Sequence, residues 1–339
     1  MKIIDTHAHF FPPPVLEFYK RNGGDRVAIT TNADASMAVH FDGKVFHPTL
    51  PAPIYDVDSH LTTMDEAGVD MHAISVPPPM VYWAEPSAGL ELCQIANDAM
   101  AEMAAQHPDR IIPVASVPLQ SPELAVGELQ RTVNDLGQRM VIVGSNIDGI
   151  ELDDPSLEPF WAEAERLQVA VFVHPILGAV TGAFPADGYR LNLSLGMVTD
   201  TTIAAARFVC SGLVDRHPDL HVSFAHLGGL LPFVGDRIDY FLRNQPGAGI
   251  LAEGYFNDYI GRLWYDVVCY SDRMLEAALR WVSYDRMMMG TDSPFMGDST
   301  PDIRAVIEES SLLTEEQQIA IYEVNPLRFL RLDAGGSGS

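Results

Sequence analysis

Cysteine is scarce in this chain. Only Cys93, Cys210 and Cys269 occur in 339 residues, and no two form a CxxC pair. That excludes a disulfide framework and a thiolate zinc site, and free thiols in a reducing cytoplasm are the expectation. Positive charge is also short: 21 Lys and Arg stand against 46 Asp and Glu, a formal net charge of −25. Such a surface repels a phosphate backbone, so no nucleic-acid partner is expected. No apolar run reaches the roughly 18 residues that a transmembrane helix needs, and the N-terminus lacks a signal-peptide layout. No membrane partner is therefore expected. No G-x-G-x-x-G follows an early strand, which counts against dinucleotide binding. The shortage of cations also bears on substrates, because an anionic one must be met by a few local cations or a metal.

What the chain does have is a regular alternation. Short apolar runs occur at Lys2–Asp5, Met71–Ser75, Ile111–Ser116, Met140–Gly144, Ala170–His174, Val222–Ala225, Trp264–Val268 and Met287–Gly290. Helical patterns fall between most of them, as at Leu90–His107, Pro122–Leu136 and Gly229–Phe241. Eight strands alternating with helices predict a single α/β domain over residues 1–332, a (β/α)8 TIM barrel, ahead of an open doubly wound sheet. The pattern breaks over residues 10–56, an insertion after strand 1 rich in Pro, Gly and polar residues. In a barrel it lies on the C-terminal face, where long insertions form lids and substrate walls. A second long loop is expected from Pro175 to about Ser194, and residues 333–339 read as a flexible linker tail.

The strand ends carry the chemistry. The first run leads into His7-Ala8-His9, and on a strand residues i and i+2 share a face. The fifth ends in His174, the sixth in His226 and the eighth in Asp292. A lone histidine at a strand end is ordinarily structural. Five groups able to bind a metal or move a proton, all opening onto one barrel face, are harder to read that way. Imidazoles with one carboxylate suit Zn2+, and also Mn2+ or Fe2+ when water completes the shell.

Five segments then carry a resemblance: Ile4-Asp5-Thr6-His7-Ala8-His9-Phe10-Phe11-Pro12, Ser116-Val117-Pro118-Leu119-Gln120, Val173-His174-Pro175, Ala225-His226-Leu227-Gly228-Gly229 and Met289-Gly290-Thr291-Asp292-Ser293-Pro294-Phe295. From Lys2 to about Leu332 the chain resembles the amidohydrolase superfamily. More narrowly, it resembles the branch containing aminocarboxymuconate-semialdehyde, γ-resorcylate and carboxyvanillate decarboxylases.

The resemblance implies that His7, His9, His174 and Asp292 bind one divalent ion, with His226 beside it as the proton-transfer group and Asp292 also able to carry a proton. It implies nonoxidative decarboxylation of an aromatic or unsaturated carboxylic acid, a small-molecule carboxylate partner and a homodimer. Hydrolysis of a lactone, amide or C–C bond, or hydration, on the same scaffold is the alternative. Two-metal members of the superfamily use a strand-four lysine; the Met140–Gly144 run ends in Ser145-Asn146 and offers none. A single ion is therefore expected, Zn2+ first and Mn2+ second. Arg237 and Arg243 resemble arginines that meet substrate in this branch, sometimes across a dimer interface. His47 stands where the aminocarboxymuconate-semialdehyde enzyme carries a substrate-binding arginine, so a different substrate is expected. Phe46, Phe295 and Trp83 are candidates for an aromatic wall.

Overall fold

The computed structural model describes residues 1–176, 189–245, 254–295 and 299–332. The strands in chain order are β1 (Ile4–His9), β2 (Val27–Thr31), β3 (Met37–Phe41), β4 (Lys44–His47), β5 (Met71–Ser75), β6 (Ile111–Ser116) and β7 (Met140–Gly144). They continue with β8 (Asn146–Ile147), β9 (Ile150–Glu151), β10 (Ala170–His174), β11 (Val222–Phe224), β12 (Trp264–Asp266) and β13 (Met287–Met288). Eight form one sheet in the order β1-β5-β6-β7-β10-β11-β12-β13, and its paired strands are parallel. The first and last meet through a parallel bridge between Ala8 and Ser293 and through the Thr6 amide on the Met289 carbonyl, which brings the sheet round to a barrel.

Strands covered on both faces need apolar residues at nearly every position. Met140-Val141-Ile142-Val143 and Ala170-Val171-Phe172-Val173 meet that need and are buried throughout. Outside the sheet, helices Glu158–Leu167 and Met197–Cys210 pack on the barrel through edge-to-face contacts running Phe160–Trp161–Phe208–Phe224. By length and composition, Asn192–Cys210 could cross a bilayer. Half of that stretch is buried inside the protein, as a barrel-packing helix requires.

The insertion is folded. It holds a helix at Pro13–Asn22, the antiparallel sheet β2-β3-β4 and a short 3-10 turn at Ala52–Ile54. The β3–β4 register shifts between Val39 and His40, leaving His47 opposite Val39 and buried. The second long loop lies largely outside the described residues, as does the tail from 333.

Candidate active site

The C-terminal ends of β1, β10, β11 and β13 bring the five groups together. His7 Nε2 lies 3.2 Å from His9 Nε2 and 3.3 Å from Asp292 Oδ1. Asp292 Oδ1 is also 3.0 Å from His9 Nε2 and 3.9 Å from His174 Nε2. On its other side, Asp292 Oδ2 meets His226 Nε2 at 3.5 Å. Ligand-capable atoms of His7, His174, His226 and Asp292 all lie within 4.8 Å of one another.

Local backbone makes this packing possible. Asp292 sits at φ 59° and its amide donates to the His7 carbonyl at 2.8 Å, so the β13 exit is latched onto β1. His226 and Leu227 also occupy the left-handed region, at φ 55° and 56°. Such conformations are costly for residues with side chains and persist where the surroundings over-determine them. Gly229 follows at φ 68°, and a Cβ there would stand 2.2 Å from the Val198 carbonyl oxygen. This position therefore requires glycine.

The outer nitrogens of the three ring groups on β1 and β10 are all engaged. His7 Nδ1 meets Asp266 Oδ2 at 2.7 Å, and His174 Nδ1 meets the Pro175 carbonyl at 2.7 Å. His9 Nδ1 lies 3.1 Å from Ser75 Oγ, whose own proton goes to the Ala8 carbonyl. These partners accept, so each Nδ1 carries a hydrogen; the neutral His9 and His174 rings turn a bare Nε2 inward, and His7 would do the same once an ion replaces its second proton. Buried His174 Nε2 has no hydrogen-bond partner among the described residues. Bare nitrogens beside a carboxylate need a shared cation. Ligands about 2.1 Å from a common ion stand about 3.0–3.4 Å apart, the spacing among His7, His9 and Asp292. The residues present therefore fit a divalent ion.

Electrostatics agree. Burial disfavours the His7 imidazolium, but Asp266 and Asp292 outweigh it and raise its pKa to about 10. The position between two carboxylates thus favours positive charge. Burial pushes His174 down to about 3 and lowers His9, keeping those rings neutral as ligands must be. Burial would raise the Asp292 carboxyl, but the surrounding His174, His226 and His7 rings hold it well below the usual carboxylate range.

Beside the cluster lies a cavity of about 430 Å³, lined by His9, His174, His226 and Asp292 at one end and by mainly apolar groups elsewhere. His47 and Phe295 face each other at 4.0 Å between ring centroids, and Phe46 is 6.3 Å from Phe295, so all three line it. Burial pushes His47 down to about 3, so its ring is neutral.

Arg237 lies away from this chain's cluster. On helix Leu231–Asn244 the buried stripe is Leu231, Gly235 and Asp239, and Arg237 falls on the opposite, exposed face, with its guanidinium over Phe241. Arg243 pairs with Asp239 at 2.8 Å. Neither lines this chain's cavity, nor does Trp83, whose indole donates to the Met80 carbonyl. Three residues escaped the sequence reading. Asp266 was legible as a carboxylate inside the apolar run Trp264–Val268; Ser75 and Arg190 carry no signal of their own.

The model of the amidohydrolase family matches residues 4–332. The chain belongs to that family. It is 32% identical over 337 residues to the 2-amino-3-carboxymuconate-6-semialdehyde decarboxylase of Dictyostelium discoideum, covering 97% of this chain and 92% of that one. It is 30% identical to the gamma-resorcylate decarboxylase of Rhizobium radiobacter, covering 81% and 87% respectively. Among solved structures, the 5-carboxyvanillate decarboxylase of Sphingomonas paucimobilis superposes with a TM-score of 0.84 at 24% identity, over 97% of this chain and 99% of that one. That likeness identifies the fold.

Proposed function

We propose that this chain is a metal-dependent nonoxidative decarboxylase, a carbon–carbon lyase acting on an aromatic or unsaturated carboxylic acid. The observation that carries the reading is the meeting of the inward Nε2 atoms of His7, His9 and His174 with Asp292 at one end of a mainly apolar cavity, with His226 at its edge. The full-length relatives named above act on acids of this kind.

His7, His9, His174 and Asp292 would hold one divalent ion. Zn2+ is the first choice for a set rich in imidazole, with Mn2+ next. When bound, the ion supplies Lewis acidity toward a substrate oxygen. Phe46, His47 and Phe295 orient a flat ring against the cluster and exclude water. His226 Nε2 faces Asp292 Oδ2, so a proton held by this pair passes to the carbon that bears the carboxylate. The C–C electron pair then returns to the ring, CO2 leaves and the new C–H bond remains. A homodimer belongs to the same reading. Phe233, Tyr240 and Phe241, exposed on Leu231–Asn244, form an apolar face of the kind that subunit interfaces bury. The free cysteines suit a reducing cytoplasm.

Incubation of the metal-loaded protein with a panel of hydroxybenzoates and carboxymuconates tests the reading. The expected result is CO2 released in equal amount to decarboxylated product. Cleavage or hydration of lactones or amides without CO2 from any acid would overturn it in favour of hydrolysis.

A further inference from the structure

Arg190 is the only Lys or Arg among the described residues that line the cavity. Several of this acidic chain's arginines outside the cavity are paired. Arg26, Arg110, Arg131, Arg207 and Arg304 each hold a carboxylate oxygen within 2.8 Å. Arg190 has no acidic partner among the described residues. Among the described lining residues the one acid, Asp292, is engaged by the histidine cluster. The guanidinium charge at Arg190 is thus left for something else.

Its backbone is built for the position. Arg190 sits at φ 51°, a conformation unfavourable for a residue with a side chain. Its carbonyl accepts from the Leu193 and Ser194 amides and from the Ser194 hydroxyl, which ties the turn to the start of the helix running to Cys210. Although it lines the cavity, Arg190 is exposed, which places it at the mouth, away from the buried cluster. Much of the remaining described lining is apolar, including Phe46, Leu193, Met197, Leu230 and Phe295. His47, neutral by burial, adds no charge.

We propose that Arg190 determines specificity by binding a second carboxylate, carried on the substrate ring away from the carboxylate that is lost. The preferred substrate class is then a single-ring aromatic dicarboxylic acid. Its ring fills the apolar midsection, one end meets the histidine cluster and the other meets the guanidinium, which matches a carboxylate with two parallel N–H donors. This deepens the decarboxylase reading and rests on it only for which carboxylate leaves.

Two probes isolate the contact: salicylate, and the hydroxyisophthalate that adds one carboxylate to salicylate para to its hydroxyl. Their binding to the metal-loaded protein is measured by calorimetry for the native chain, R190Q and R190K, with CO2 followed in parallel. The native chain should bind hydroxyisophthalate about tenfold tighter than salicylate. R190Q should lose that preference while its salicylate affinity stays within about twofold, and R190K should keep part of it. Equal affinities in the native chain, or an undiminished preference in R190Q, overturn the assignment. If the preference depends on Arg190 but no CO2 appears from any acid, the decarboxylase reading fails and the binding site stands. CO2 release without an Arg190-dependent preference is the reverse case. Exposure of Arg190 predicts an unchanged melting temperature in both variants, so lost binding is not lost folding.

Discussion

The His7 imidazole meets Asp266 Oδ2 through Nδ1 at 2.7 Å, and both side chains are wholly shielded from solvent. Asp266 Oδ1 meanwhile accepts from the Leu227 and Val268 amides. One carboxylate therefore sets the tautomer of His7 and anchors the turn that carries His226. Replacing it should disturb both halves of the site. D266N should weaken binding of Zn2+ or Mn2+ by about 10- to 100-fold, the usual effect of removing a carboxylate behind a ligating histidine. Titration with a competing chelator checks this, and native affinity in a folded D266N would contradict it.

Gly290 leaves room for that pair. A Cβ on it would stand 2.7 Å from Asp266 Cβ and 2.9 Å from His7 Cβ, closer than real carbons pack. G290A should cost about 1–3 kcal/mol of stability by overpacking and should lower metal affinity as well. Denaturant melts and metal titration of the same preparation check the two effects.

Of Asp292's two oxygens His226 faces the far one, and its Nδ1 has no partner among the described residues. H226N should keep the metal and lose turnover by about 10²- to 10⁴-fold, the range for loss of a positioned proton-transfer group. Metal analysis beside the rate separates this from loss of a ligand: an H226N protein that purifies without metal would place His226 in the coordination shell.

Buried neutral histidines make the metal-free fold sensitive to acid. Burial lowers the pKa of His47 to about 3 and lowers His60 and His72 as well. Below an unfolded pKa of about 6.5 the unfolded chain binds protons that the folded chain refuses, so stability falls as pH drops. Asp5 works the other way. Burial raises it to about 7, against hydrogen bonds to Thr291 and the His7 amide, so it favours the folded state as pH falls from about 7 toward 4. Near pH 5, H47Q should remove one proton from the difference, reducing the dependence by about 1.4 kcal/mol per pH unit. Urea midpoints at pH 5 and pH 6 measure it, and an unchanged slope would contradict the burial of His47.

Most of the barrel was legible because each buried strand is a short apolar run and each histidine of the cluster ends one. The strand ends were less legible. Val222–Ala225, Trp264–Val268 and Met287–Gly290 finish early as β11, β12 and β13. The Val268 amide turns to Asp266, and the Met289 amide donates to Ile321. The exposure of Arg237 was not legible because it depends on the rotational phase of Leu231–Asn244, which the buried Leu231, Gly235 and Asp239 set. Arg190 depends on a turn that ordinary residues build, so composition around it carries no sign of a site. Asp266 shows the opposite case: its position among apolar residues was visible, but its role required knowing that β12 stands near β1.

The most direct test of the account is CO2 release measured against metal content, as stripped protein is titrated with Zn2+ or Mn2+. The rate should rise in proportion to bound ion and level off at one ion per chain. Full turnover by the metal-free protein would contradict the account.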